Sequence, residues 1–288
     1  MTAPGRRLVP AMTLLLWTAS LLSATTLRRQ SFTCPLDGTK FEQPVVTSTN
    51  NFNGFDSDMC SWPRGAMVQP HLVKVCPKDF YAAVDSVFEQ ELPDEVKEKL
   101  KVALARWREK HTEVKSVDDL GAGQRWELAA VCAAVKHNDP AQMGYLWLHA
   151  SWAQRQEGLR TLKVLIPDPI SAYEVLGDVE SDIEKSKKPE ERLELRFQLA
   201  MCAHRAGDLS LRDKTIGELE KLELDEASKG RLAALKKSVE AESLYQKRAR
   251  DAYARALDAE EGTPEDRATW TYFVADLDRR LGNYEEAV

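Results

Sequence analysis

The 288-residue sequence predicts a mainly α protein with a small strand-and-turn module ahead of its helices, on three observations. Beyond Pro93 apolar residues recur at helical steps of three and four. Residues 31–81 are instead rich in Pro, Asn, Ser, Thr and Gly, with apolar stretches only at Val45-Val46 and over residues 72–75. Within that module, Cys34-Pro35-Leu36-Asp37-Gly38 and Cys76-Pro77-Lys78-Asp79 repeat one turn pattern. A chain that is 43% hydrophobic and 30% charged has ordinary globular composition and ample length for a core. Forty basic against 46 acidic residues give a formal charge of -6, and no basic stripe with interleaved aromatics is present, which argues against a nucleic-acid partner.

Taken in order, residues 1–29 read as a signal peptide or an N-terminal membrane anchor. Arg6 and Arg7 precede an apolar run over residues 11–22, and the small residues Ser23, Ala24 and Thr25 follow it. There is no A-x-A triplet, and the stretch 8–27, backed by Arg28 and Arg29, is long enough to serve as an uncleaved anchor. Either form exports the remainder, to the periplasm or to the outer side of a membrane. The bland alternative is a misplaced start or a buried N-terminal helix. Removing residues 1–26 leaves 38 basic and 46 acidic side chains, a formal charge of -8.

Residues 30–92 form the second segment. The polar run 47–58 reads as a loop with a turn at Asn53-Gly54. So few apolar residues cannot bury a core alone, so a metal, a disulfide or docking onto the helices is expected to hold the segment.

Residues 93–288 are helical. Asp94 and Glu95 open the first helix, Val96, Leu100, Leu104 and Trp107 line it, and Arg106, Arg108, Lys110 and His111 complement the dipole at its end. Ser116-x-x-Asp119 predicts a capping box for the second, with Trp126, Ala130, Val131 and Ala134 inward. His137-Asn138-Asp139-Pro140 supplies a turn, an N-cap and an N1 proline for the third, which carries Tyr145, Leu148 and Trp152 and stops near Gly158. Further helices are predicted over 170–187, 189–206, 211–222 and 225–257, the last with a continuous stripe from Leu232 to Ala256, and then from Pro264 to Leu281.

Each Cys-Pro-x-Asp segment reads as a zinc-knuckle turn in which aspartate replaces the second cysteine. Zinc accepts carboxylate as well as thiolate, so Cys34, Asp37, Cys76 and Asp79 compose a candidate Cys2Asp2 site, with Cys60 or His71 able to replace one aspartate. Four protein ligands would make such a site structural. A disulfide between two of the three nearby cysteines, and an empty knuckle in which Asp37 only stabilises its own turn, stay open beside the metal. Cys132 and Cys202 lie on apolar helical faces and read as core thiols.

The closing Gly282-Asn283-Tyr284-Glu285-Glu286-Ala287-Val288 looks like the turn and second-helix start of a tetratricopeptide repeat, and Ala206-Gly207-Asp208 is a weaker echo, so irregular helical hairpins are expected. The chain stops five residues into that second helix, which a partner or further sequence would complete. The whole resembles bacterial domain-of-unknown-function family 2225, which joins a CPxC-type, zinc-ribbon-like start to tetratricopeptide-like helices. The resemblance rests on the first knuckle, on Asp58-Met59-Cys60, on the run from Val75 to Ala83, on the helical segment from Gly144 to Trp152 and on the Leu281-Gly282-Asn283-Tyr284 turn. Departures are the two aspartates, Phe80 in place of a turn glycine and the leader. The family implies a fold and a metal but no activity.

None of the five histidines, at 71, 111, 137, 149 and 204, has a motif partner, and Ser/His/Asp, glycine-loop and H-E-x-x-H patterns lack support. The expectation is therefore a non-catalytic, exported or membrane-tethered scaffold for a protein or peptide. The alternatives are a metal-assisted hydrolase using an open Asp/Cys site and a purely structural envelope protein.

Overall fold

The computed structural model describes residues 25–63, 65–137, 139–161 and 172–287, so the expected leader, up to residue 24, lies outside the described residues. Among the described residues no helix is long and apolar enough to cross a membrane.

The N-terminal segment is two antiparallel hairpins. Strand β1 (Thr26–Thr33) pairs with β2 (Lys40–Ser48), Thr33 opposite Lys40. After a one-turn helix α1 (Gln69–Leu72), β3 (Val73–Val75) pairs with β4 (Ala82–Val84), Val75 opposite Ala82. Residues 26–29, grouped with the leader on sequence, belong to β1. All four side chains, two of them arginines, are exposed and carry no buried alternation, so pairing with β2 alone makes them a strand. The side chain of Gln43 on β2 pairs with Val75 as a neighbouring strand would, donating to its carbonyl (2.9 Å) and accepting from its amide (3.1 Å). Lys74, fully buried, adds an ion pair with Asp85 (2.6 Å) and donates to the Pro44 carbonyl, so the hairpins are tied to each other.

Eight helices follow among the described residues: α2 (Asp94–Lys110), α3 (Ala122–Lys136), α4 (Pro140–Thr161), α5 (Ala172–Lys185), α6 (Pro189–Ala206), α7 (Leu209–Glu220), α8 (Glu226–Asp258) and α9 (Pro264–Leu281). The Ser116 capping box forms, but it caps a single 3-10 turn, Val117–Asp119, and not the second helix. Leu120 is extended, and α3 starts after Gly121, whose amide donates to the Gln124 side chain. The buried face of α3 centres on Trp126, Ala129, Ala130, Cys132 and Ala133, while Ala134 points to solvent. Asp139 and Asp225 cap α4 and α8 as their residue types predict, and Gly207 and Gly282 close α6 and α9 in the left-handed region.

Most helices adjacent in sequence pack as neighbours, α4 and α5 excepted among the described residues, yet the most extensive helix contact joins α4 to α8 across three intervening helices. Two glycines permit it. A Cβ at Gly144 would lie 2.6 Å from the Tyr253 ring, and one at Gly158 would lie 2.3 Å from Ser238 Oγ. One apolar core runs from Phe32 through Trp126 to Leu277, so the boundary at 92/93 separates kinds of element within a shared core. A smaller cluster, Val175, Leu176 and Val179 against Leu199, Cys202 and Ala206, joins α5 to α6.

Candidate metal centre and groove

Each Cys-Pro-x-Asp segment is the tip of a hairpin, and the two tips share one backbone geometry. Gly38 N–H donates to the Cys34 carbonyl and Phe80 N–H to that of Cys76; Cys34 and Cys76 amides donate in turn to the carbonyls of Thr39 and Tyr81. The geometry demands a left-handed residue at the fifth position, which Gly38 supplies at φ 76° and Phe80 at φ 66°. Loss of the glycine has therefore not altered the second knuckle, contrary to what its sequence suggests. Burial of the Phe80 ring against Trp107 and beneath Arg108 offsets the strain.

The tips face each other, and donor atoms of Cys34, Asp37, Cys76 and Asp79 all lie within 4.8 Å of one another. The pairing is crosswise: Cys34 Sγ is 3.4 Å from Asp79 Oδ2, and Cys76 Sγ is 4.0 Å from Asp37 Oδ1. Both thiols are buried and all five cysteines are free, so no disulfide joins the knuckles. The carboxylates also brace their own turns, accepting from the amides of Thr39 and Tyr81. Burial opposes ionisation of Asp37, but hydrogen bonds from Thr39 and from Lys78 outweigh it and hold the carboxyl at about 2. The hydrogen bond between the thiols raises the pKa of Cys34 and lowers that of Cys76. Lys78, 3.1 Å from Asp37, is the only cation paired with this anionic set among the described residues. A tetrahedral zinc ion, with bonds of about 2.3 Å to sulfur and about 2.1 Å to oxygen, places its ligands roughly 3.4–3.8 Å apart. The four donors fit such an ion with small shifts.

Cys60 and His71 are not in the cluster. Cys60 is fully buried, accepts a hydrogen bond from Gln156 at 3.5 Å, and burial pushes its thiol well up. It belongs to a tight turn whose neighbours hold it elsewhere: Arg155 of α4 binds Asp58 in bidentate fashion (3.0 and 2.6 Å) and also contacts Asp56 and Glu242, both at 2.8 Å. Arg205 joins Asp56 at 2.6 Å and stacks 4.0 Å from the Trp62 ring, while His204 meets Glu242 at 2.6 Å. Arg280 of α9 adds Asp276 and Ser57. This buried network docks the N-terminal segment on α4, α6, α8 and α9. Sequence reasoning missed it, although an arginine three residues after Trp152 on an inward helical face was a usable signal.

A groove of about 850 Å³ opens between α2, α3, α4 and α8. Trp107, Trp147 and Tyr245 form its aromatic wall, with Trp147 and Tyr245 stacked at 5.9 Å and Arg248 4.5 Å from the Trp147 ring. At its base Glu127 accepts from Tyr245 Oη (2.9 Å) and faces His111 and Arg248 at 3.7 and 3.5 Å. Burial first, then Glu127, drives the Tyr245 pKa far up, so the phenol stays neutral.

A family model described as an uncharacterised protein conserved in bacteria (DUF2225) matches residues 27–288. No curated protein and no solved structure matches the chain.

Proposed function

The chain belongs to the uncharacterised bacterial family DUF2225, and we propose that it is a non-catalytic scaffold, exported or membrane-tethered by its leader, that binds a protein or peptide along its helices. The groove between α2, α3, α4 and α8 carries this reading: its size and mixed lining suit a ligand, while Glu127 and Glu157 within it are engaged by the Tyr245 hydroxyl and by the amide that opens α3. Zinc at Cys34, Asp37, Cys76 and Asp79 would crosslink the two hairpins; with four protein donors it would be structural. The module is zinc-ribbon-like in this sense, and its metal would shield the thiol pair from oxidation after export.

A photo-crosslinking residue at Leu244, in the groove, is expected to trap a partner in cells, whereas one at Leu222, exposed elsewhere, is not. Equal trapping from both positions would remove the scaffold reading. For the metal, the purified chain is expected to carry one zinc per molecule. Asp37→Cys with Asp79→Cys, which replaces hard donors by soft ones, should slow zinc loss to a chelator at least tenfold. Export is checked by fusing residues 1–40 to an export-dependent reporter, which is expected to be active.

A further inference from the structure

We propose that the loop of residues 49–59 rests in the surface of a lipid bilayer, beside the point where the chain leaves its leader. This goes beyond the groove and rests on the membrane-tethered form of the proposed function. Of the ten large apolar side chains exposed among the described residues, Phe52, Phe55 and Met59 lie on this loop and Leu27 on the strand beside it, whereas the other six are scattered over helices and turns. Scattered apolar residues need no explanation, but a concentration of them does. The loop also shows no charge. Between Gln43 and Pro63 the sequence holds only two charged residues, Asp56 and Asp58, in a chain that is 30% charged. Both are buried and paired with Arg155, and Asp56 also with Arg205, so the exposed residues of the loop are uncharged. A surface of this kind enters a bilayer interface without stripping water from an ion. Its rings are held outward. Asn53 N–H donates to the Trp62 carbonyl, Trp62 N–H to that of Gly54 and Gly54 N–H to that of Asn51, while Phe55 pairs with Ser61. That framework presents Phe52 and Phe55 at 53% and 52% exposure, and it keeps Met59 at φ 65°, a strained position from which the side chain gains little burial.

Position along the chain selects lipid as the occupant. The apolar run of the leader ends at Leu22, three residues before Thr25, whose hydroxyl lies 3.3 Å from that of Thr49. Phe52 follows Thr49 by three residues. Three residues span at most about 10 Å, so a leader held in the bilayer keeps the loop close to its surface. Arg28 and Arg29, exposed on β1, suit the anionic headgroups that would lie alongside. The knuckles occupy the other end of the same hairpin, seven strand steps or about 23 Å from the Thr26 and Ser48 end. A protein partner would need no such proximity to the leader.

The test reconstitutes the full chain in vesicles of phosphatidylethanolamine and phosphatidylglycerol, with benzoylphenylalanine replacing Phe52, Phe55 or Lys40 singly. Lys40 is exposed at the knuckle end of the hairpin and serves as the control. On illumination, lipid adducts read by mass spectrometry are expected to be at least tenfold more abundant from residues 52 and 55 than from residue 40. All three side chains are exposed, so the variants should melt like the parent; if one phenylalanine variant does not fold, the other gives the same comparison. Equal adduct yields at the three positions overturn the inference, as do protein adducts in place of lipid when the same variants are illuminated in cells. Flotation of the vesicles through a density gradient reports the tether separately. If the chain floats but residues 52 and 55 yield no lipid adduct, only the loop's contact is wrong; if the chain does not float, the tethered reading falls and the inference with it.

Discussion

Arg155 holds three carboxylates that lie far away in sequence, on the Asp56–Asp58 turn and on α8. Removing it leaves Asp56, Asp58 and Glu242 buried without their main counter-charge, so Arg155→Met is expected to cost about 3–5 kcal/mol in urea unfolding. His149 makes a second test at this scale. Its ring is enclosed by Trp126, Tyr145 and Trp152, with centroids 4.6, 4.2 and 4.4 Å away, and burial presses its pKa from 6.5 down to about 3. The unfolded chain therefore binds this proton first, and stability that is full above pH 6.5 is lost as pH falls toward 3. Melting temperature should decline from pH 6.5 downward, before the carboxylates titrate, and His149→Gln should flatten that part of the profile. The cysteines and aspartates of the knuckles were legible in sequence because four neighbouring residues define each turn. Arg155 was not, since nothing local reveals that an inward arginine will meet partners about a hundred residues away.

Among elements, the contact of α4 with α8 depends on what the glycines lack. Gly158→Ala drives a Cβ to within 2.3 Å of Ser238 Oγ and is expected to cost about 1–3 kcal/mol. Adding Ser238→Ala removes the clashing oxygen, so the double variant should be more stable than the sum of the single effects allows, which chemical denaturation of all four proteins would show. Helix bounds from α2 to α9 were close to readable, because Asp139, Asp225, Thr263, Gly207 and Gly282 act through their own backbone neighbours. The failure at Ser116 has the same origin: its box satisfies local donors equally well around one 3-10 turn, and only the extended Leu120 separates that turn from α3, which starts after Gly121.

For the whole molecule, the apolar core that runs from Phe32 to Leu277 couples the knuckles to the helices. Removing the zinc proposed for the knuckles should therefore lower the melting temperature of the entire chain in one transition, seen alike by tryptophan fluorescence and by far-ultraviolet dichroism. Separate loss of the N-terminal signal, with the helices unmoved, would show that the knuckles melt alone.

By itself the sequence determined the mainly α class, most of the helix ends and the pairing of the two knuckle motifs, since hydrophobic period, capping and turn chemistry all act within a few residues; the start of α3 and the end of α4, expected near Gly158 but reaching Thr161, escaped it. Tertiary structure alone decided that β1 is a strand, that Phe80 adopts a glycine's conformation, that Cys60 sits with Arg155 and not with the other cysteines, and that α4 meets α8 to form the groove. Each of these is set by burial and charge between segments remote along the chain, where no local pattern carries the information.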